Sequence, residues 1–452
     1  MPDGLSSSVS VKSEGQLRRV LGVPALVLFG LVYMVPLTVF TTYGIVTRLT
    51  GGRLSLAYLV TLAAMVFTAW SYARMAAFYP TAGSTYAYAQ RSFGAPIGFL
   101  TGWLLLLDYL LLPMLNYLVI GIYLGAAIPA LPVWLPILAT IGVVTVLNIV
   151  GIVSVVRANF LVITLQVVFI AVFVVMAVVA ISGSAGADLM APLRGDGSVG
   201  GASPVLAGAA ILCLSFLGFD AISTLSEEAR EPTRSVPRAI MIATILSGLL
   251  YFALSYVSQL VFPSNRFSDI ESGALDVMVA AGGRFLNAFF TAVYVAAAVG
   301  CAITSQASVA RILYAMGRDG ILPRRVFGHV SVRFGTPTFA TLVVSVISLA
   351  ALWIDLATLA AVVSFGALSA FSAVNLCLLR RYYLDRDDRT GRVAFGRFLT
   401  PLVGFALTVW LWTSLSGPTM TVGLIWLAVG ISWLVLVTRG FRRPTPVLEL
   451  EK

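Results

Sequence analysis

Residues 30–44 read GLVYMVPLTVFTTYG, and residues 215–228 read SFLGFDAISTLSEE. Both lie inside long apolar runs, and each carries residues that disturb a continuous membrane helix. In the first, Pro36 has no N–H to give and pushes the residue before it out of α geometry. Thr38, Thr41 and Thr42 then place hydroxyls beside the opened backbone. In the second, Gly218 weakens the helix, and Asp220 sets a carboxyl group in an otherwise apolar stretch. The two interruptions lie about 180 residues apart. Broken helices at corresponding positions of two halves point to a ligand site built from an inverted repeat. Irregular backbone at membrane depth survives only where it is buried in protein or lines a cavity. A pair of ordinary proline and glycine kinks is the alternative.

The rest of the chain supplies the setting. Of its 452 residues, 59% are hydrophobic and 11% charged, against about 25% charged in an ordinary soluble domain. Mean hydropathy is +0.97 over the whole length. A water-soluble globule of this size leaves too many positions at its surface to hide so much apolar area. Strands of a β-barrel would alternate apolar and polar residues, which these do not. The expectation is an all-α integral membrane protein. The N-terminal 20 residues are polar, and the first apolar run is too long for a signal-peptide core. Cys213, Cys301 and Cys377 sit far apart in apolar runs, so no disulfide framework is expected.

Twelve runs are long and apolar enough for a span, which needs about 20 residues. They lie at 21–47, 54–78, 95–127, 133–152, 159–182, 204–228, 238–262, 285–312, 338–356, 358–380, 398–416 and 420–438. Twelve spans put both termini on one side. Of the 29 basic residues, only Arg48, Arg53, Arg194, Arg266 and Arg284 then fall on the other. This bias marks the termini as cytoplasmic and accounts for the net charge of +10 without a nucleic-acid partner.

Two carboxyl groups lie well within runs: Asp108, in LLDYLLLPMLNY (106–117), and Asp220. Glu227, Glu228 and Asp355 lie at run ends. A charge at the bilayer centre costs about 2.5–3.5 kcal/mol on insertion scales, so a buried one normally faces a cavity or a partner. No Lys or Arg lies in the middle of any run, and His329, the single histidine, belongs to a basic connection. Three neutralisers remain for the aspartates: a proton, a metal cation such as Na⁺, or a cationic ligand. The structural alternative is that each caps a broken helix end or bonds neighbouring hydroxyls. Gly102, Tyr109 and Asn116 recur every seven residues, with Asp108 one position away. That gathers a ring, an amide and a carboxylate on one part of a helix, which suits a small polar solute. Phe216, Phe219 and Tyr294 offer π faces to an ammonium group, although each taken alone reads as core.

No phosphate loop, CxxC pair or HExxH helix is present, and a nucleophile–His–Asp set would have to use His329. An ATP-driven pump and a membrane hydrolase are disfavoured, and neither a cofactor nor a metal site is expected.

The motifs resemble those of the amino acid–polyamine–organocation (APC) permeases, and within that superfamily the bacterial putrescine importers, over about residues 15–445. The segment SQASVARILYAMGRDGILPRRVFGHVSVRFGTPTFA (305–340) is similar to the family's amphipathic region after the eighth span. FLGFD…SEE in the sixth run is similar to its aromatic-x-GFD…EE signature. LLDYLLLPMLN in the third run and TVF-x-T-x-GIV in the first are similar to putrescine-importer sequence. The resemblance implies a LeuT-like 5+5 inverted repeat with broken helices 1 and 6. The repeats would be 21–182 and 204–381, followed by two further spans at 396–440, with tails at 1–20 and 441–452. It also implies a central site worked by alternating access. Amino acid carriers of the family hold the substrate carboxylate on a small-residue patch in span 1. The matching positions here are Pro36, Leu37 and Thr38, which fits a substrate with no carboxylate.

The expected ligand is therefore a small cationic amine, putrescine or a related diamine, imported across the bacterial inner membrane. Asp220 and Asp108 would hold its ammonium ends, with Tyr109 and the aromatic rings of Phe216, Phe219 and Tyr294 along its methylenes. Gly218, Pro36, Thr38 and Asn116 complete the expected site, and Glu228 either attracts the cation or anchors the sixth helix. A proton is the expected coupling ion, with Na⁺ as the other choice. Some relatives carry a cationic side chain on span 5 where sodium would sit, and Arg157 lies near the start of that run. The alternatives are an amino acid permease or exchanger of the same fold, and an amine sensor that carries no flux.

Overall fold

The computed structural model describes residues 20–445, apart from 81–83, 152–154, 184–187, 227, 332 and 385–391. Among the described residues the architecture is helical, and the only extended pairing is one isolated bridge. The first helix, α1, is broken into Val23–Met34, a 3-10 turn Pro36–Phe40, and Tyr43–Leu49. It is followed by α2 (Leu54–Phe78), α3 (Ala95–Ala127), α4 (Trp134–Val150) and α5 (Val155–Ser182). The second break comes in α6, which runs Ser203–Leu212, Cys213–Phe216 and Asp220–Leu225. Then come α7 (Pro232–Val261), α8 (Ala274–Arg318), α9 (Thr338–Ser348), α10 (Leu356–Leu384), α11 (Arg392–Thr413) and α12 (Gly417–Val437).

Among the described residues, nine helices are long and apolar enough to cross a membrane. The shorter apolar helices Trp134–Val150, Thr338–Leu352 and Phe398–Thr413 fall within the runs read as fourth, ninth and eleventh. Several boundaries differ from the hydropathy reading, those of α7 and α8 among them. α7 starts at Pro232 rather than 238, because a proline at a helix start loses no hydrogen bond. α8 begins as a short arm at Ala274 and turns a corner at Gly282–Gly283, where Gly283 takes φ +63°, before its long stretch continues to Arg318. A short helix, Ser84–Phe93, was not anticipated; it is too polar and brief to register as a span.

α3 is central, packed against α8 and α10, while α2 packs along α7. Bulky apolar side chains such as Val179, Phe285, Val346 and Leu436 are left exposed on the outside, as lipid contact requires. With lipid as apolar as the core, close packing and interhelical hydrogen bonds carry the cohesion. Asn148 donates to Gln306 at 2.7 Å, and Gln306 donates to Ser345 at 2.8 Å, tying α4, α8 and α9. Ser71 donates to Asn375 at 2.6 Å between α2 and α10. Trp103 and Trp426 stack at 4.9 Å, and each indole N–H donates to the other's carbonyl, at 2.9 and 2.8 Å. At the end where α1 begins, Leu21 bridges Ala229. The Leu21 N–H donates to the Glu228 carbonyl, and the Arg230 N–H donates to the Leu21 carbonyl, both at 3.0 Å.

Candidate functional site

The break in α1 centres on Val35, a β-branched residue held at φ +48°, ψ 98°. Such a conformation costs of order 1–3 kcal/mol and persists only when its surroundings fix it. The surroundings are identifiable. Pro36 follows without an N–H, and the carbonyls freed by the break are satisfied from the side. Met34 O accepts from Tyr251 Oη at 3.0 Å and from Thr38 Oγ1 at 3.1 Å. Val35 O accepts from Thr38 Oγ1 at 2.7 Å. Phe40 O accepts from Tyr123 Oη at 2.7 Å. The N–H groups of Thr38 and Thr41 are already committed to the carbonyls of Val35 and Thr38.

The break in α6 lies against it. Gly218 adopts φ +123°, and a Cβ there would sit 2.6 Å from the ring of Tyr33 and 3.1 Å from the Met34 nitrogen, so only glycine permits the approach. The Gly218 N–H donates to Asp220 Oδ1 at 3.1 Å, and the carboxylate begins the last 3-10 segment of α6. Asp220 therefore holds one backbone N–H of the break, while keeping further acceptor capacity. The first pieces of α1 and α6 both run into the break with their carbonyl ends, so two partial negative charges converge there.

Between α1, α3, α6 and α8 lies a cavity of about 50 Å³, room for a few waters. Tyr33, Met34, Val35, Thr38 and Thr41 line it from α1, Leu112 and Asn116 from α3, Leu217 from α6, and Tyr294 and Cys301 from α8. The hydroxyls of Thr41 and Tyr294 pair at 2.6 Å. Aromatic rings close the same end: Phe40 meets Phe290 at 5.2 Å and Phe173 at 5.7 Å, and Tyr123 meets Tyr294 at 4.7 Å. The Asn116 amide donates to Leu112 O at 2.8 Å and to Cys301 Sγ at 3.4 Å.

Of the residues singled out from sequence, Thr38, Asn116 and Tyr294 line this cavity. Asp108 is 6% exposed and Asp220 5% exposed, and the two sense each other's charge. Asp108 Oδ1 is buried without a hydrogen-bond partner, and behind it the backbone of α10 closes in at Gly366. Among the described residues neither aspartate belongs to an ion pair. Tyr109 is partly exposed and lies within electrostatic range of Tyr33, Asp220 and Asp108. Phe216 packs edge-on against Tyr251 at 5.6 Å. Phe219 joins Tyr72 and Phe371 at 5.3 and 5.1 Å. Both rings are fully buried, as is Pro36. Gly102, whose stripe pointed to Tyr109 and Asn116, instead admits the ring of Tyr86. Glu228 is half-buried beside the Leu21 bridge and does not line the cavity. Glu227 and the side chain of Arg157 lie outside the described residues.

Sequence reasoning missed Tyr33 and Cys301. The available signal for Tyr33 was its place one turn before Pro36; for Cys301 there was none beyond a polar atom in an apolar run.

Two breaks facing one small cavity, in a protein that also buries two carboxyl groups outside any ion pair among the described residues, are the arrangement of a carrier. The Amino acid permease family matches residues 25–447 of this chain. The chain belongs to that family. The permease is 38% identical over 447 residues to the "Low-affinity putrescine importer PlaP" of Escherichia coli strain K12, covering 97% of each chain. It is 25% identical over 451 residues to the "Branched-chain amino acid permease BcaP" of Bacillus subtilis, covering 95% of each. It is 27% identical over 460 residues to the "Methylthioribose transporter" of the same bacterium, covering 96% of each. The permease is thus a multi-pass membrane transporter and not an enzyme.

Proposed function

We propose that this transporter imports a small cationic amine, putrescine, across the bacterial inner membrane by alternating access and in company with a proton. Its substrate would bind at Asp220 and Asp108, with Tyr109, Thr38, Asn116 and Tyr294 around it. The observation that carries the reading is the pair of buried aspartates: Asp220 at the α6 break and Asp108 on α3, without an ion-pair partner among the described residues. Buried carboxylates without fixed counterions call for a mobile one. The backbone speaks to substrate class as well. Pro36 lacks an N–H, and that of Thr38 is already bonded, so two of the three positions matched to the carboxylate patch have no backbone donor to give. The similarity to a putrescine importer points the same way.

The fold that fits this mechanism is twelve spans with both termini cytoplasmic. In it α1–α5 and α6–α10 form the inverted repeats, and α11 and α12 are additions. The breaks fall in the first helix of each set of five, as such a repeat requires.

Labelled putrescine uptake by Asp220→Asn in proteoliposomes tests the assignment. Uptake should disappear while thermal unfolding stays near that of the parent protein; retained uptake refutes it. An imposed pH gradient should drive accumulation, and a dependence on a Na⁺ gradient instead would reassign the coupling ion. Similarity to a branched-chain amino acid permease favours amino acid transport as the second reading. Under it, amino acids rather than diamines should compete for uptake.

A further inference from the structure

We propose that Tyr33 partitions the site into two chambers, so that the ligand it suits is a diammonium ion lying across the phenol ring. One ammonium sits at Asp108 and Asp220, and the other sits in the cavity. This rests on the amine reading above and adds to it a residue that sets substrate length.

Tyr33 occupies the last turn of the first piece of α1, three residues before the proline. Its ring edge fills the space that a side chain at position 218 would need, so it is wedged against the α6 break. It lines the cavity, and the Gly218 it abuts donates its N–H to Asp220 Oδ1 at 3.1 Å. Asp108 and Asp220 do not line the cavity, whereas Cys301 does. The ring therefore stands between the Gly218–Asp220 break of α6 and the cavity. The ring is held by packing, against Phe29 at 6.2 Å on its own helix and against Gly218 of α6.

The cavity side suits a positive charge too. The Asn116 amide spends its N–H groups on Leu112 O and Cys301 Sγ, leaving the side-chain oxygen able to accept. Tyr294 and Thr41 bond only each other's hydroxyls there. The carbonyl end of the first α1 piece adds a partial negative charge. Methylenes fit across an aromatic face, and an ammonium at either rim gains from the ring quadrupole. A monoamine fills one chamber and leaves the acceptors of the other unmatched.

The experiment is initial-rate uptake by the full-length protein in proteoliposomes of 1,3-diaminopropane, putrescine, cadaverine and n-butylamine. The parent protein should prefer one diamine length and discriminate against n-butylamine by roughly tenfold or more, the equivalent of one ammonium subsite. Tyr33→Phe should keep that profile, because the ring and not the hydroxyl divides the chambers. Tyr33→Ala should flatten the length preference and raise KM for putrescine with little change in maximal rate. Asn116→Leu should raise KM for diamines and leave n-butylamine unaffected. Putrescine carried with an unaltered length profile by Tyr33→Ala overturns the partition and leaves the amine reading standing. No amine uptake by the parent protein defeats the amine reading itself. Should Tyr33→Ala not fold, Tyr33→Leu and the Asn116→Leu comparison decide the matter by the same criteria.

Discussion

The hydroxyls of Thr41 and Tyr294 lie 2.6 Å apart and join the far half of α1 to α8 across one end of the cavity. Around them the rings of Phe40, Tyr123 and Phe290 complete a plug. Removing one partner of a buried hydroxyl pair strands the other at a cost of about 1–3 kcal/mol. Tyr294→Phe should therefore favour the state in which α1 and α8 part at this end. Faster alkylation of Cys301 by a membrane-impermeant maleimide in sealed vesicles would report it. Unchanged labelling would mean that the aromatic rings alone keep this end shut.

Cys301 itself makes a second expectation. It lines the cavity, whereas Cys213 and Cys377 are buried in the core. A small methanethiosulfonate reagent should modify Cys301 alone, as read by peptide mass spectrometry, and putrescine should slow the modification. Labelling of Cys213 or Cys377 at a comparable rate would contradict this packing.

The reciprocal indole bonds of Trp103 and Trp426 fasten α12 to the central helix α3. Interhelical hydrogen bonds in membranes are worth about 0.6–2 kcal/mol each. Trp103→Phe or Trp426→Phe should each lower Tm in detergent. The double variant should lose less than the sum of the two, because the bonds form one stacked unit. KM for substrate should be unmoved, since neither indole lines the cavity.

Glu271 sits on the loop before α8, and its Oε1 accepts the Leu356 N–H at 3.0 Å at the start of α10. Partial burial raises its pKa above the usual 4.5; the Leu356 N–H lowers it, and the Asp269 and Asp355 charges raise it further. A carboxyl group raised in the folded state favours folding while protonated, and that contribution is lost as pH climbs from 4.5 through the raised value. Glu271→Gln should remove this pH-dependent loss, so its Tm should fall less than the parent's over that interval. Parallel Tm–pH curves would show that Glu271 does not titrate as its surroundings dictate.

Where the sequence was informative, the reason was chemical. Pro36 cannot donate, Gly218 tolerates φ values that other residues resist, and Asp220 does not belong in an apolar run without purpose. Those three residues located both breaks. Tyr33 was invisible because an aromatic in a membrane helix looks like packing until a neighbouring break brings glycine under its ring. Asp220 had two plausible roles, and only coordinates revealed that its carboxylate meets the Gly218 N–H. The periodic spacing of Gly102, Tyr109 and Asn116 correctly put Asn116 at the cavity. It could not foresee that Gly102 is spent on Tyr86, since the helix carrying Tyr86 was itself too short and polar to be noticed.

The small clasp at Leu21 and Ala229 has a mechanical corollary. It yokes the residue just ahead of one interrupted helix to the tail of the other by a pair of backbone bonds, which yield only to a replacement that deletes an N–H, such as proline at Leu21 or Arg230. The two segments should therefore be displaced together, since neither can shift at that point without dragging its fellow or breaking the clasp.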